Sequence, residues 1–271
     1  MNTQSYTNEQ IQRVAPSVFA GQAASRTSDR YAFIPTINIV DKMRDNGWFV
    51  THASESRTKQ EDRKGFVKHM LRFSPTDERI SHLGDSRLEV VLINSHDGSS
   101  QYSLQAGVFR LVCSNGMVVA DSLLEAIKVR HTGNVIDNVL SGSERILENA
   151  PIINQTIQDW QTIELTQDEQ GVFAQAAHAL RFPEGSLITP KQMLQSRRPD
   201  DNGNSLWNVF NRVQEHSIKG GDRSPYISRF ERNANPDLRR VRSREVKNIS
   251  GNVNLNKALW QLAEGMAALK K

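Results

Sequence analysis

The chain has one cysteine, Cys113, in 271 residues, so no intrachain disulfide can form and a reducing, cytoplasmic setting is expected. No apolar run approaches the roughly 18 residues a membrane-spanning helix needs. The opening MNTQSYTNEQIQRVAPSVFAGQ lacks the basic-then-apolar order of a secretory leader. No membrane partner is expected. GxxxxGK[ST], GxGxxG and GxSxG are absent, which removes the commonest phosphate-loop, dinucleotide and esterase signatures. Acidic residues are dispersed, with no DxD pair, and no local acidic cluster points to a nuclease. The seven histidines show no short ligand spacing. The expectation is therefore no cofactor, no metal and no catalytic residue. A nuclease assembled from acids distant in sequence stays an alternative.

What the chain has is basic charge in one place. Lys219 to Lys247 holds nine cations against four acids, nine minus four giving +5, while the whole chain carries +4. Arginine outnumbers lysine there by seven to two, which favours phosphate or base recognition. Tyr226 and Phe230 are interleaved with Arg229, Arg232, Arg239, Arg240, Arg242 and Arg244. Aromatics among guanidinium groups suit stacking on bases while the cations hold phosphates. The plainer reading is a solvated, flexible loop, because basic loops are common. Lys59, Arg63, Lys64 and Lys68 form a second basic group around a charged turn.

The hydrophobic pattern predicts an α+β fold: an antiparallel β-meander core, a preceding short helix and a helical C-terminal half. Thr36 is expected to cap a helix through Ile37, Val40 and Met43, with Gly47 supplying its left-handed stop. Trp48-Phe49-Val50 begins one strand. Val67, His69, Leu71 and Phe73 alternate in a second. Leu88 to Val119 reads as a hairpin around Asn94–Ser100, with Gly107 a candidate bulge. Pro151 breaks the helical stretch 134–160. Thr166-Gln167-Asp168-Glu169 is a capping box, Thr189-Pro190 starts a short helix to about Ser196, and Ser205 starts one ending at Gly220-Gly221. A last helix is expected from Asn254. The expected organisation is an arm (1–30), an α+β domain (31–218), a basic and flexible segment (219–250) and a C-terminal helix (251–271).

Several residues near the hairpin invite chemistry. Cys113 is a conceivable nucleophile with His96 or His131 as base, but inside an apolar strand it reads as a small hydrophobe. His96-Asp97 offers only two metal ligands, and Asp97-Gly98 is explained as turn chemistry. Trp48 reads as a core residue, with a nucleic-acid surface as the alternative.

Blocks along most of the chain resemble one family of prophage and plasmid proteins, typified by YafZ and YfjQ and labelled domain-of-unknown-function family 932. They include Val14–Phe19, Arg30–Thr36, Lys68–Arg72, Leu92–Gly98, Gln214–Gly221 and Asn256–Trp260. The resemblance implies a mobile-element protein and carries no catalytic residue with it. From Thr36 to Trp160, the order helix, Asn46-Gly47-Trp48, meander, helices is similar to that of single-strand annealing proteins of the RecT and Erf types. That likeness implies rings or filaments that hold single-stranded DNA along a basic groove. The leading expectation is a non-enzymatic, single-stranded-DNA-binding homo-oligomer acting in annealing or recombination. The alternatives are a protein-interaction factor that counters a host defence, and a nuclease.

Overall fold

The computed structural model describes residues 5–28, 31–76, 82–83, 86–110, 116–118, 126–129, 134–235 and 239–270. They belong to two compact units, Met1–Asn154 and Gln155–Lys271. Among the described residues no helix is long and apolar enough to cross a membrane.

In the first unit, among the described residues, helices α1 (Asn8–Val14) and α2 (Thr36–Asp45) precede seven strands, β1 (Trp48–Glu55), β2 (His69–Pro75), β3 (His82–Leu83), β4 (Ser86–Asn94), β5 (Tyr102–Arg110), β6 (Gly116–Val118) and β7 (Ile127–Val129). Helix α3 (Val135–Glu148) follows. The sheet runs β1-β2-β4-β5-β6, all neighbours antiparallel, with β3 added to β4 and β7 to β5. This is the α+β meander the alternation predicts. Register places Leu71, Phe73, Leu88, Val90, Leu92, Leu104, Ala106 and Val108 on one face, all buried. Helix α2 lies on β1 and α3 on β4 and β5, closing that face with Ile39, Val40, Met43, Val139 and Ile146. Each such side chain contributes about 1.5–3 kcal/mol on burial.

Two local expectations are corrected. Thr36 does not cap α2: Pro35 holds the cap position, and Thr36 is the first helical residue. Its hydroxyl instead meets His69 Nε2 at 2.9 Å, His96 Nε2 at 3.0 Å and Asn94 Nδ2 at 3.2 Å, all of them buried. The tautomers follow. Val67 O can only accept, so the His69 Nδ1 facing it at 3.0 Å carries a proton, and Nε2 of the neutral ring accepts from Thr36. Thr36 then accepts from His96 Nε2 and Asn94. Gly107 is not a bulge; it pairs in register with Glu89 and Val118. The irregularity lies in β1 between Val50 and His52. There Thr51 donates to Glu89 Oε2 at 2.8 Å, beside the Arg72–Glu89 ion pair at 2.7 Å. The Arg72 guanidinium sits 3.3 Å over the Phe109 ring, and Phe109 leans across Gly107.

The C-terminal half is helical, as expected: α4 (Ala150–Thr162), α5 (Gln167–Arg181), α6 (Pro190–Met193), α7 (Leu206–Lys219), α8 (Arg229–Ala234) and α9 (Ile249–Leu269). Pro151 is the second residue of α4, where its missing N–H costs nothing. The Thr166 capping box and the Ser205 cap form as expected. Helix α6 stops at Met193, short of Ser196, and α9 starts five residues before Asn254 because Asn248 caps it. In the second unit Trp160, Trp207, Phe210 and Trp260 pack together, with Trp160 4.5 Å from Trp260 between ring centroids. Helix α7 is buried all round, beyond the one apolar stripe its sequence shows. Its polar side chains find partners: Gln214 with Asn256 at 2.8 Å, Glu215 with Arg198 Nη1 and Nη2, and Arg212 Nη1 with the carbonyls of Asp201 and Gly203.

A Cβ on Gly107 would lie 2.4 Å from the Phe109 ring and 2.7 Å from Val91. Gly107→Ala is therefore expected to cost about 1–3 kcal/mol in urea denaturation. Gly142→Ala, where the nearest side chain is 3.4 Å away inside α3, is expected to be neutral or stabilising by up to about 1 kcal/mol. Equal effects from the two changes would contradict this packing.

Candidate nucleic-acid interface

The candidate surface is built where α7 ends. Gly220 adopts φ +60, and a Cβ there would stand 2.8 Å from the Arg244 backbone, so glycine both stops the helix and admits the returning chain. Residues 221–224 and 241–246 then run antiparallel. Gly221 donates to Ser243 O at 2.9 Å, Ser243 to Asp222 O at 2.8 Å, Ser224 to Val241 O at 2.9 Å and Val246 to Ile218 O at 2.8 Å. The segment expected as a flexible loop thus has a hydrogen-bonded base. At its tip α8 opens with a Ser228–Glu231 capping box.

This frame displays the expected arginines. Arg239, Arg240, Arg242 and Arg244 are exposed, and no carboxylate among the described residues pairs with them. Tyr226 is 72% and Phe230 82% exposed, unusual for such large apolar rings. Arg229 and Arg232 lie on α8, and their side chains are outside the described residues, as are Cys113 and His131.

Beneath the display lies an open groove of about 640 Å³. Arg197, Lys219, Arg223 and Arg242 line it against one carboxylate, Asp222. Asp222 Oδ1 is 2.5 Å from His216 Nδ1 and 2.8 Å from Arg197, and Ser243 Oγ donates to Oδ2 at 3.2 Å. Burial raises a carboxyl, but the bond and charge of His216, then those of Arg197, outweigh it and hold Asp222 below the ordinary range. His216 Nε2 faces Gln195 O at 2.8 Å, so both ring nitrogens meet oxygens that accept, and neither faces the groove as a base. The dyad is a brace. Arg197, Arg223 and this polar face of α7 carried no motif. The local signal for the first is the pair Arg197-Arg198 before Pro199.

The second basic group is not a set of free cations. Arg63 grips buried Asp97 through Nε at 2.7 Å and Nη2 at 2.5 Å, and Lys64 pairs with Glu61 at 2.6 Å. Lys59 is exposed and Lys68 half-buried. His96 and Asp97 do not converge: the ring faces Thr36, while the carboxylate accepts from Arg63 and Ser99. Among the described residues no three His, Cys, Asp or Glu side chains could hold a metal ion. Trp48 is buried, as a core residue would be.

Asp97 supplies a pH test. Burial raises its carboxyl, but the Ser99 hydroxyl and amide, Arg63 and Ser95 outweigh burial and bring it to about 2. A depressed folded value stabilises the protein above the unfolded value near 4, and that stability is lost as pH falls toward 2. Between pH 5 and pH 2 the native chain should lose about 2 kcal/mol more than Asp97→Asn in chemical denaturation. Parallel losses in both would remove Asp97 from the account.

No solved structure matches the chain. Two relatives from Escherichia coli (strain K12) do match it. UPF0380 protein YafZ is 36% identical over 96% of this chain and 91% of its own length, and UPF0380 protein YfjQ is 36% identical over 95% and 90%. A domain of unknown function, DUF932, matches residues 23–260, and with this coverage of the groove, the brace and the sheet the chain belongs to the DUF932 family.

Proposed function

We propose that the chain is a non-enzymatic single-stranded-DNA-binding protein of a mobile element, acting in strand annealing or recombination as a ring or filament. One observation carries the reading. Four exposed arginines without acidic partners among the described residues stand on a hydrogen-bonded frame that also bears two exposed aromatic rings. Unpaired guanidinium groups release counterions from phosphates, and exposed rings stack on unpaired bases without reading sequence. Duplex DNA offers the phosphates but hides the base faces, so the rings favour single strands. A ring or filament would sum many modest interactions along one strand.

The test is anisotropy of a labelled oligothymidylate across a salt series, with a duplex of equal length alongside. Serine at Arg229, Arg232, Arg239, Arg240, Arg242 and Arg244 should flatten the salt slope by about 0.7 for each phosphate that is no longer neutralised. Tyr226→Ala with Phe230→Ala should weaken binding by about 1–3 kcal/mol per stacked base and leave the slope unchanged. Absence of affinity at low salt would sink the reading and turn attention to a protein partner for the same surface. A mass in solution that stays monomeric with DNA present would remove the ring or filament.

A further inference from the structure

Beneath the arginine display, one small region of the groove has the features of a built anion site. The bridge between Arg223 and Arg242 sets these two residues directly opposite each other in an antiparallel pair. Opposed residues of such a pair project to the same side, and like charges there are destabilising. Both side chains are exposed, and among the described residues no carboxylate pairs with either. A third guanidinium, Arg197, is held through Nη2, which donates to Gly220 O at 2.7 Å and to Asp222 at 2.8 Å. Its Nε and Nη1 are left unengaged among the described residues. Gly221, at φ +93, lies between them: a Cβ there would stand 3.9 Å from Arg197 Nη2 and 4.0 Å from Arg242 Nη2. Two guanidinium groups therefore converge over a backbone position with no side chain.

The site is made of side chains and not of backbone amides. Gly220 donates to His216 O and Gly221 to Ser243 O, so neither N–H is available to an anion. The one nearby carboxylate is already engaged by His216, Arg197 and Ser243, which offsets its repulsion of an incoming anion. Planar forks at several angles match the tetrahedral oxygens of phosphate better than a flat carboxylate, which one fork saturates.

We propose that Arg197, Arg223 and Arg242 around Gly221 form a seat for one phosphate group, and, resting on the single-stranded-DNA reading, that a phosphodiester of the bound strand occupies it. The exposed arginines of the display then carry the strand past a fixed point. The phosphate relieves the repulsion between Arg223 and Arg242, and Arg197 is the preorganised donor.

The test uses the full chain and inorganic phosphate at matched ionic strength, followed by phosphorus NMR titration, with the oligothymidylate salt series in parallel. The unaltered chain should show saturable phosphate binding. Arg223→Ser with Arg242→Ser, both exposed positions, should weaken it about tenfold or more. Arg242→Lys should fall between, since it keeps the charge and loses the fork. Arg239→Ser with Arg240→Ser should leave phosphate binding unchanged while lowering oligonucleotide affinity. Absence of saturable phosphate binding, or equal binding by the Arg223/Arg242 variant, overturns the seat whatever happens with DNA. Loss of phosphate binding with an unchanged oligonucleotide salt slope overturns its assignment to a phosphodiester and leaves a site for free phosphate. Phosphate binding without any DNA affinity overturns the single-stranded-DNA reading and the phosphodiester occupant together, and keeps the seat itself.

Discussion

The carboxylate of Asp222 takes hydrogen bonds from His216, Arg197 and Ser243, and through them both ends of the arginine-rich segment are tied to α7. A stretch with so few apolar residues has little hydrophobic reason to lie against a helix, and its like charges favour an extended chain. One largely buried anion shared among three donors supplies the attachment. It also sorts the arginines of this unit into two kinds. Arg181, Arg198 and Arg212 spend their donors on protein oxygens, and Arg197 spends Nη2 there. Arg239, Arg240, Arg242 and Arg244 face outward, and their charge is left for something else.

Signals that act within a turn or two were readable from the residues alone. Gly47 at φ +78, the Thr166 capping box, the Ser205 cap and the Asn94–Ser100 turn all stand where local chemistry puts them. What was not readable was the partner at long range. Thr36 looks like a cap because threonine usually is one. Here two histidines, 33 and 60 residues away, claim its hydroxyl, and proline takes the cap position. Arg63 reads as a free cation until Asp97, 34 residues on, folds against it. Gly107 reads as a bulge because isolated strand glycines often mark one. The actual reason is the Phe109 ring, tilted over it under Arg72. The candidate site followed the same rule: composition located the arginines, while the brace beneath them, drawn from α7 and the 197–198 pair, had no local signature.

The first unit shows a related economy at the end of its sheet. Thr36, His69, Asn94 and His96 are fully enclosed, and a single hydroxyl serves three of its neighbours at once. Buried polar groups tolerate few alternative arrangements, because a slip of one residue in register would strand each of them without a partner. That cluster fixes how α2 meets β2 and β4, where apolar side chains alone would accept several positions.

The opposed arginines of the 223–242 bridge carry a thermodynamic consequence. In the absence of a counter-charge their repulsion works against the same short ladder whose hydrogen bonds hold the display in place. A partner that neutralises them adds its binding free energy to the ladder, so ordering of the segment and occupancy of the surface are linked functions of one concentration. Each ligand bound would then firm the frame for the groups beside it, a source of cooperativity within a single protomer.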